Sequence, residues 1–380
     1  KLVGAALVPK EFSLFKHQQE MLKQSLLGNH SVVVTGTGSG KTESFLLPVF
    51  AQIIKEARGS TSYWKDVLNS DLEDWLPATP PKWDDSVVVK RGEIRKPAVR
   101  ALILYPMNAL VEDQMSRLRA ALDSDESRQI MDTYLGGNRI RFGRFNGSTP
   151  VSGHPFIASK DGSIVKNKTK ILELSKKIKD AIVESQELDK EVSRLRRKII
   201  DAEEKNDSAA IDILIRELAN LNERKLFIPR LGIHSAEMFH RWEMQQSPPD
   251  LLITNISMLS IMLMRQLDPE IEGDSSDSQI FEKTREWLES DKENNVFQLV
   301  IDELHLYRGA SGTEVAYLIR LLLDRLGLSP GSKQLRILAS SASLDSGSEK
   351  TFRFLGGMFG MSAEQAKKSF HIESGELSIS

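Results

Sequence analysis

The chain has 380 residues, enough to bury a sizeable core and to form two units or one enlarged unit. Its hydrophobic fraction of 40% and charged fraction of 27% exclude a disordered or membrane-embedded protein, and the lack of cysteine excludes disulfides and thiolate metal sites within this sequence. The net charge of −2 requires any nucleic-acid affinity to come from local basic patches.

The N-terminus lacks the pattern of a signal peptide, and no apolar run reaches the roughly 18 residues of a bilayer span. We therefore expect a cytoplasmic location and no membrane partner.

Five short runs of apolar, β-branched residues are each followed by a polar or glycine-containing turn and then by a helical pattern. They are residues 31–35, 100–105, 251–254, 299–302 and 336–340. This alternation predicts an α/β fold with a parallel sheet and helices on both faces. Such sheets bind ligands at the carboxyl ends of their strands.

The first run leads directly into a glycine-rich loop, Thr35-Gly-Thr-Gly-Ser-Gly-Lys-Thr42, and then into a helical pattern. Small residues let backbone N–H groups surround phosphates, and a helix N-terminus adds a favourable partial charge. This order predicts a P-loop NTPase that binds ATP with Mg²⁺. Lys41 is expected to reach the β- and γ-phosphates and Thr42 to ligate Mg²⁺, although Thr35 replaces the usual first glycine. The other predicted cradle residues are Gly36, Thr37, Gly38, Ser39 and Gly40.

Two stretches interrupt the alternation. Residues 59–97 contain several tryptophans and prolines without periodicity, which indicates a surface insertion. Residues 156–230 contain a heptad pattern from Ile164 to Ala202 and a second phase from Ile211 to Leu221. They predict a coiled-coil-like antiparallel helical hairpin. Its basic clusters are expected to form a solvated face.

The fourth run ends in Asp302-Glu-Leu-His305. Adjacent carboxylates at the end of a buried strand are costly unless a cation or a reaction requires them. We expect Asp302 to serve Mg²⁺ and Glu303 to orient the attacking water. With Lys41 they form the predicted catalytic set.

Together with the phosphate loop, this tetrapeptide resembles motif II of the DEAD/DEAH-box helicases of superfamily 2, whose lobes have the RecA-like fold. Phe15-Lys-His-Gln18 is similar to the adenine-reading Q motif, which implies that Gln18 contacts the base. The segments from Leu104 to Gln114 and from Pro248 to Asn255 resemble motifs Ia and Ib. Phe145-Asn-Gly-Ser-Thr149 resembles a glycine-containing turn of the family, and Ser341-Ala-Ser343 resembles motif III.

The resemblance implies roles for further residues. The nucleic-acid contacts would be Pro106, Asn108, Ala109, Gly147, Thr254 and Asn255. The residues that couple the γ-phosphate to the strand-binding surface would be His305, Ser341, Ala342 and Ser343. Single-stranded or partly duplex DNA is the expected partner.

The segment from Tyr307 to Ala316, with the Pro-Pro-Asp form of motif Ib, is similar to the MrfA-type branch. That branch contains 3′ to 5′ DNA helicases and the helicase subunits of antiphage systems such as Druantia and DISARM, so other defence subunits are further expected partners. The residues after Ser343 are too few for a second RecA-like lobe. We therefore expect that lobe, which supplies an arginine finger, in a longer chain, and very slow hydrolysis by this segment alone.

These patterns divide the chain into a RecA-like first lobe with two insertions. The lobe comprises residues 1–58, 98–155 and 231–345, the insertions are 59–97 and 156–230, and residues 346–380 are expected to be a terminal helix and linker. The predicted function is an ATP-driven helicase or translocase. Two alternatives stay open: a duplex translocase that does not separate strands, and a nucleotide-switched binding module that does not hydrolyse ATP.

Overall fold

The computed structural model describes residues 13–36, 39–59, 95–231, 235–265, 277–345 and 347–375. Most of the insertion predicted at residues 59–97 therefore lies outside the described residues. The described strands are β1 (His30–Val34), β2 (Ala101–Tyr105), β3 (Phe142–Phe145), β4 (Phe156–Ala158), β5 (Ile164–Lys166), β6 (Glu237–Met238), β7 (Leu251–Asn255), β8 (Phe297–Ile301), β9 (Leu335–Ser341) and β10 (Phe370–Ser374).

Helices connect most of these strands. They are α1 (Lys16–Leu27), α2 (Lys41–Gly59), α3 (Asn108–Asp123), α4 (Asp125–Tyr134), α5 (Lys168–Glu204), α6 (Ser208–Lys225), α7 (Arg241–Gln246), α8 (Ile256–Met264), α9 (Ser278–Ser290), α10 (Gly309–Arg325), α11 (Glu349–Phe359) and α12 (Ala363–Ser369). None of the described helices is long and apolar enough to cross a membrane.

Eight strands form one sheet in the order β10, β1, β9, β8, β2, β7, β3, β6, and every adjacent pair in it is parallel. The short strands β4 and β5 form a separate antiparallel pair. The predicted RecA-like α/β fold is confirmed.

Alternate residues of the central strands enter two hydrophobic cores. Ile103 and Val300 pack with α1 to α4 on one face, whereas Leu104 and Leu299 pack with α8 to α12 on the other. Because both faces are covered, these strands carry apolar residues on both faces instead of alternating with polar ones. Each fully buried side chain of this size contributes about 1.5–3 kcal/mol relative to exposure. The sheet is thereby a rigid base for the loops at its carboxyl edge.

The end of the chain differs from the expected helix and linker. After α11 and α12, the strand β10 pairs with β1 at the edge of the sheet, with His30 opposite Phe370. Only Phe370 is buried in this strand, and the other residues are half-buried or exposed. The amide of Gly375 then donates to the carbonyl of Val34 at 2.8 Å, next to the phosphate loop.

The helical hairpin is present as α5 and α6. Near the lobe, Leu174 and Ile178 of α5 pack with Trp242, and further out Leu195 packs in one cluster with Leu221 of α6. The heptad pattern places the start of the helix too early, since Ile164 lies in β5 and is 49% exposed.

A buried ionic cluster joins the amino ends of three neighbouring strands. Asp250, which precedes β7, is fully buried and accepts hydrogen bonds from Arg95 at 3.1 Å, from Arg100 at 3.0 Å and from the Arg141 amide at 2.7 Å. Burial lowers the pKa of Arg95 to about 10, so it stays charged at neutral pH. Asp250 of the Pro-Pro-Asp segment therefore has a structural role, at the end of the sheet opposite the predicted site.

Candidate functional site

The glycine-rich loop after β1 is held by its own hydroxyl groups. Thr35 Oγ1 donates to Ser39 Oγ at 2.7 Å, and Ser39 Oγ donates to the Gly36 carbonyl at 2.7 Å. Thr35 thus has a definite role at the position where glycine is usual. Two of the predicted cradle residues, Thr37 and Gly38, lie outside the described residues.

The start of α1 packs against this loop. The Gln18 side chain accepts from the amide of Phe15 at 3.0 Å and donates to the Gly40 carbonyl at 3.1 Å. His17 Nε2 lies 3.0 Å from the Ser39 carbonyl, and burial, the largest cause, lowers the pKa of His17, which favours a neutral ring donating through Nε2. Gly40 has a φ of 74°, and a Cβ there would lie 2.4 Å from the Gln18 amide nitrogen. The loop conformation therefore requires glycine at this position.

The two adjacent carboxylates follow β8 at the same edge of the sheet. The Asp302 carboxylate accepts hydrogen bonds from the Ser340 hydroxyl and, at 3.0 Å, from the Glu303 amide. Glu303 has φ 51° and ψ 47°, a left-handed conformation that is strained for a residue with a Cβ. This turn directs its Oε1 to Lys41 Nζ at 2.9 Å. Lys41 and Glu303, which are 262 residues apart in sequence, thus form an ion pair across the site.

Asp302 is buried and acts electrostatically on two buried phenols. Burial, the largest cause, raises the pKa of Asp302, and the neighbouring Glu303 charge adds to the effect. The Tyr105 and Tyr307 hydroxyls and Gln114 Oε1 are buried without a hydrogen-bond partner among the described residues. Burial raises the pKa of both phenols, and the charge of Asp302 adds to it. Such a set of unpaired acceptors and donors fits a hydrated cation better than a dry core.

The donor set suits Mg²⁺ in particular. The described residues contain no group of three or more histidine, aspartate or glutamate side chains that would hold a metal by themselves. Magnesium is usually bound through one or two protein oxygens together with nucleotide phosphates and waters. Asp302 and the Thr42 hydroxyl, at the end of β8 and the start of α2, could supply two such oxygens.

Two contacts tie α3 to the first turn of α2. Gln114 Nε2 donates to Thr42 Oγ1 at 3.4 Å, and Arg117 Nη1 donates to Glu43 Oε1 at 2.9 Å. Gln114 is only 6% exposed, so its amide is fixed beside the predicted metal ligand. Gln114 is the last residue of the motif Ia segment, and sequence alone indicates no role for it.

The loop after β9 touches both the phosphate loop and the carboxylates. The Ser341 carbonyl accepts from the Thr35 amide at 3.1 Å. The Ala342 amide donates to His305 Nδ1 at 3.2 Å, and the same nitrogen lies 3.2 Å from Glu303 Oε2. One ring nitrogen cannot accept from an amide and donate to a carboxylate at the same time, so these contacts are alternatives. The Ser343 carbonyl accepts from an Arg308 guanidinium at 2.7 Å.

The predicted nucleic-acid residues lie on the adjoining part of the same edge. Tyr105 is opposite Asn255, and Phe145 is opposite Thr254, because β2, β7 and β3 are neighbours. Pro106 and Gly147 follow the ends of β2 and β3, and Gly147 is exposed with open space around it. Asn108 and Ala109 form the first turn of α3, and their side chains are outside the description.

Thr254 and Asn255 play different parts in this region. Thr254 is fully buried, and its hydroxyl donates to the Phe145 carbonyl at 2.6 Å. A phosphate cannot reach it in this arrangement, so the role of Thr254 is to join β7 to β3 at this edge of the sheet. The Asn255 side chain is only partly buried and accepts from the Met258 amide at 2.8 Å as the N-cap of α8. Of the pair, only Asn255 reaches the surface.

Comparison with known proteins gives three kinds of match. Residues 15–151 match the family model described as DEAD/DEAH box helicase. The chain is 33% identical over 373 residues to the Druantia protein DruE of Escherichia coli (strain UMEA 4076-1), a match that covers 94% of this chain and 17% of that protein. This chain thus spans about a sixth of the curated relative's length.

Two solved structures of the DUF1998 helicase MrfA are also similar. The one bound to DNA is 18% identical, with a TM-score of 0.45 over 98% of this chain and 29% of that chain. The other is 16% identical, with a TM-score of 0.44 over 98% of this chain and 32% of that chain.

Proposed function

Because this chain carries a DEAD/DEAH box helicase domain and is related to the Druantia protein DruE, as its motifs predicted, we propose that it is the first motor lobe of an ATP-driven DNA helicase or translocase. The observation that carries this proposal is the ion pair between Lys41 and Glu303, located next to Asp302 and Thr42. A phosphate-binding cation, a metal-binding carboxylate and a water-orienting carboxylate therefore meet at one point.

Each residue has a defined task when ATP binds. Lys41 exchanges Glu303 for the β- and γ-phosphates, which frees the carboxylate to orient and polarise the attacking water. Thr42 and Asp302 would hold Mg²⁺, which would supply positive charge to the phosphates. Gln18 and His17 hold the phosphate loop in place through the Gly40 and Ser39 carbonyls. Gln18 is proposed to contact adenine after it releases the Gly40 carbonyl.

Release of Glu303 from Lys41 also changes what His305 faces. When Glu303 turns to the water, His305 is left with the Ala342 amide, the second of its two alternative contacts. Ser341, Ala342 and Ser343 would thereby report the state of the γ-phosphate to the surface. The presence of a water-orienting Glu303 favours a motor over a nucleotide-switched binding module.

Gln114 should matter for the metal and not for the nucleotide alone. Gln114→Ala removes the donor that orients the Thr42 hydroxyl, and loss of such a supporting contact commonly costs about 10- to 100-fold in metal affinity. We expect ATP affinity in Mg²⁺ to fall by about tenfold, with affinity in excess chelator unchanged, when both are measured by calorimetry.

The exposed Gln129 of α4 provides the matched control, since Gln129→Ala should alter neither affinity. An equal loss of affinity with and without Mg²⁺ in Gln114→Ala would show that the side chain supports the fold or the nucleotide instead.

We propose that one DNA strand crosses the edge formed by Pro106, Asn108, Ala109, Gly147 and Asn255, with phosphates facing the helix N-termini. The structure suggests sharper probes than alanine. Asn255→Asp keeps an N-cap but adds a negative charge, and Gly147→Glu adds one where a side chain meets open space. Each should weaken single-strand affinity by at least about fivefold, because like charges ~4 Å apart in water repel by about 1 kcal/mol.

Gly331→Glu is the matched control, since it adds the same charge in open space before β9, at the opposite end of the sheet. Neutralising the exposed hairpin residues Arg194, Arg196, Arg197 and Lys198 should leave affinity and its salt dependence unchanged. Fluorescence anisotropy of an oligonucleotide measures both. Equal affinity in the Asn255, Gly147 and Gly331 variants would remove this strand path.

We further propose that the whole protein contains a second RecA-like lobe and serves antiphage defence with other subunits. The relationship to DruE supports the role. Phage plaque counts on cells that express the whole protein, with and without Lys41→Ala, would test it, and equal counts would argue against it.

A further inference from the structure

A groove of about 920 Å³ lies between α10 and α11, beside the loop after β9. Small residues of α10, namely Gly312, Thr313 and Ala316, leave it open. Its floor includes the apolar side chains of Leu344, Phe354 and Met358. The segment from Tyr307 to Ala316, which resembles the MrfA-type branch, forms one wall.

The rim of this groove is cationic. Arg308, Arg320, Lys350 and Arg353 line it, and Asp345 is the one acidic residue among the described residues that do so. Arg353 also forms an exposed ion pair with Glu349 at 3.0 Å. The chain as a whole has a net charge of −2, so this concentration of positive charge is local. A groove of this charge attracts polyanions.

Two of the rim arginines are held in place by hydrogen bonds to backbone carbonyls. Arg308 donates to the Ser343 carbonyl at 2.7 Å, and Arg320 donates to the Gly357 carbonyl at 2.7 Å. A guanidinium has five N–H donors, so each retains others for a ligand. The Arg320 guanidinium also lies 5.7 Å from the centroid of the Tyr317 ring, which is 65% exposed.

We propose that this groove binds a second single-stranded segment of nucleic acid, separate from the strand at the edge of β2, β7 and β3. Phosphates would contact the four rim cations, and bases would stack on Tyr317 or enter the apolar floor near Phe354. An apolar surface between cations is the combination that binds single strands without reading sequence. The occupant fits the displaced strand of a partly opened duplex, and the inference rests on the proposed helicase function.

The position of the groove gives its occupant access to the nucleotide site. Strand β9, whose following loop borders the groove, is separated from β7 by β8 and β2, so the groove is set apart from the proposed strand path. Arg308 joins the groove to Ser343, whose neighbour Ala342 contacts His305. A strand that engages Arg308 would therefore act on the residues proposed to sense the γ-phosphate.

The test compares three proteins by anisotropy of a labelled oligothymidylate over a salt series. The first combines Arg320→Gln, Lys350→Gln and Arg353→Gln. The second is Tyr317→Ala. The third, a charge-matched control, combines Lys23→Gln, Lys55→Gln and Lys333→Gln, which are also exposed.

We expect the rim variant to bind about tenfold more weakly at low salt, with the logarithmic salt slope reduced by about 2, since each phosphate contact contributes roughly 0.7 for single strands. Tyr317→Ala should lose about fivefold or more with an unchanged slope, because stacking is not ionic. The control should bind like the unmodified protein. Ultraviolet crosslinking of an oligonucleotide that contains 5-iodouracil should label the peptide with Tyr317 or Phe354.

Equal losses in the rim variant and the lysine control would reduce the effect to general electrostatics and overturn the proposal. Full affinity in both groove variants, with crosslinks elsewhere, would overturn it in favour of an acidic polypeptide. Failure of the unmodified protein to bind the oligonucleotide at all would instead refute the helicase function. Unchanged thermal unfolding of each variant confirms that the comparison concerns binding.

Discussion

Lys41→Ala should weaken ATP binding by about 10- to 100-fold while leaving the fold intact. A hydrogen bond to a charged group contributes about 1.5–3 kcal/mol, and each 1.4 kcal/mol is a factor of ten in affinity. Lys41 is the residue proposed to contact the phosphates, and its Nζ lies 2.9 Å from Glu303 Oε1. Calorimetric titration of ATP into the folded variant measures the loss.

The fold should survive because Glu303 remains 21% exposed and can be hydrated when its partner is removed. Lys55→Ala is the matched control, since Lys55 is exposed on the same helix, α2. Normal ATP affinity in a folded Lys41→Ala protein would show that this loop is not the nucleotide site.

The central strands were predictable because their chemistry is local. Residues 100–105, 251–254 and 299–302 are mostly apolar and bounded by turns, and they form β2, β7 and β8 within about two residues. The edge strand β10 was not predicted, since Phe-His-Ile-Glu-Ser is short, with only two apolar residues and one buried side chain. Its structure depends on pairing with β1. The paired residues His30 and Phe370 are 340 residues apart in sequence.

The position of the helical hairpin shows a limit of periodicity. A seven-residue repeat indicates which residues face a partner helix but does not fix where the helix starts. The start is set by Asn167, whose side chain accepts from the Lys170 amide at 3.2 Å as an N-cap. The repeat was extended back to Ile164, which pairs with Ala158 in a β-strand.

In the site too, residues in local sequence motifs were predictable, whereas contacts between residues distant in sequence were not. Lys41, Thr42, Asp302 and Glu303 were found because each stands in a short motif directly after an apolar run. Ser340, Gln114 and His17 were missed as participants because their partners are 38, 72 and 22 residues away. Such contacts between distant strands and helices cannot be predicted until the order of the strands in the sheet is known.

The expectation that both Thr254 and Asn255 contact nucleic acid assumed that adjacent residues of one motif are equally exposed. Strand residues alternate between faces, so adjacent members of one motif have different surroundings. Thr254 is fully buried against Phe145, whereas Asn255 reaches the edge. The proposed strand path accordingly relies on Asn255 and not on Thr254.

Glu303→Gln should separate binding from chemistry in the whole protein. The amide keeps the shape of the carboxylate but cannot act as a general base, whose loss costs roughly 10²–10⁴ in rate. ATP affinity should be retained or should tighten, because Lys41 no longer has to leave an anionic partner before it meets the phosphates. Steady-state hydrolysis and ATP titration, performed on the same preparation, give the two values. Glu314→Gln is the control, since Glu314 is exposed on α10 and should alter neither. Near-normal hydrolysis by Glu303→Gln would move the role of water activation to another residue, and a matching loss of ATP affinity would mean that Glu303 holds the site together instead.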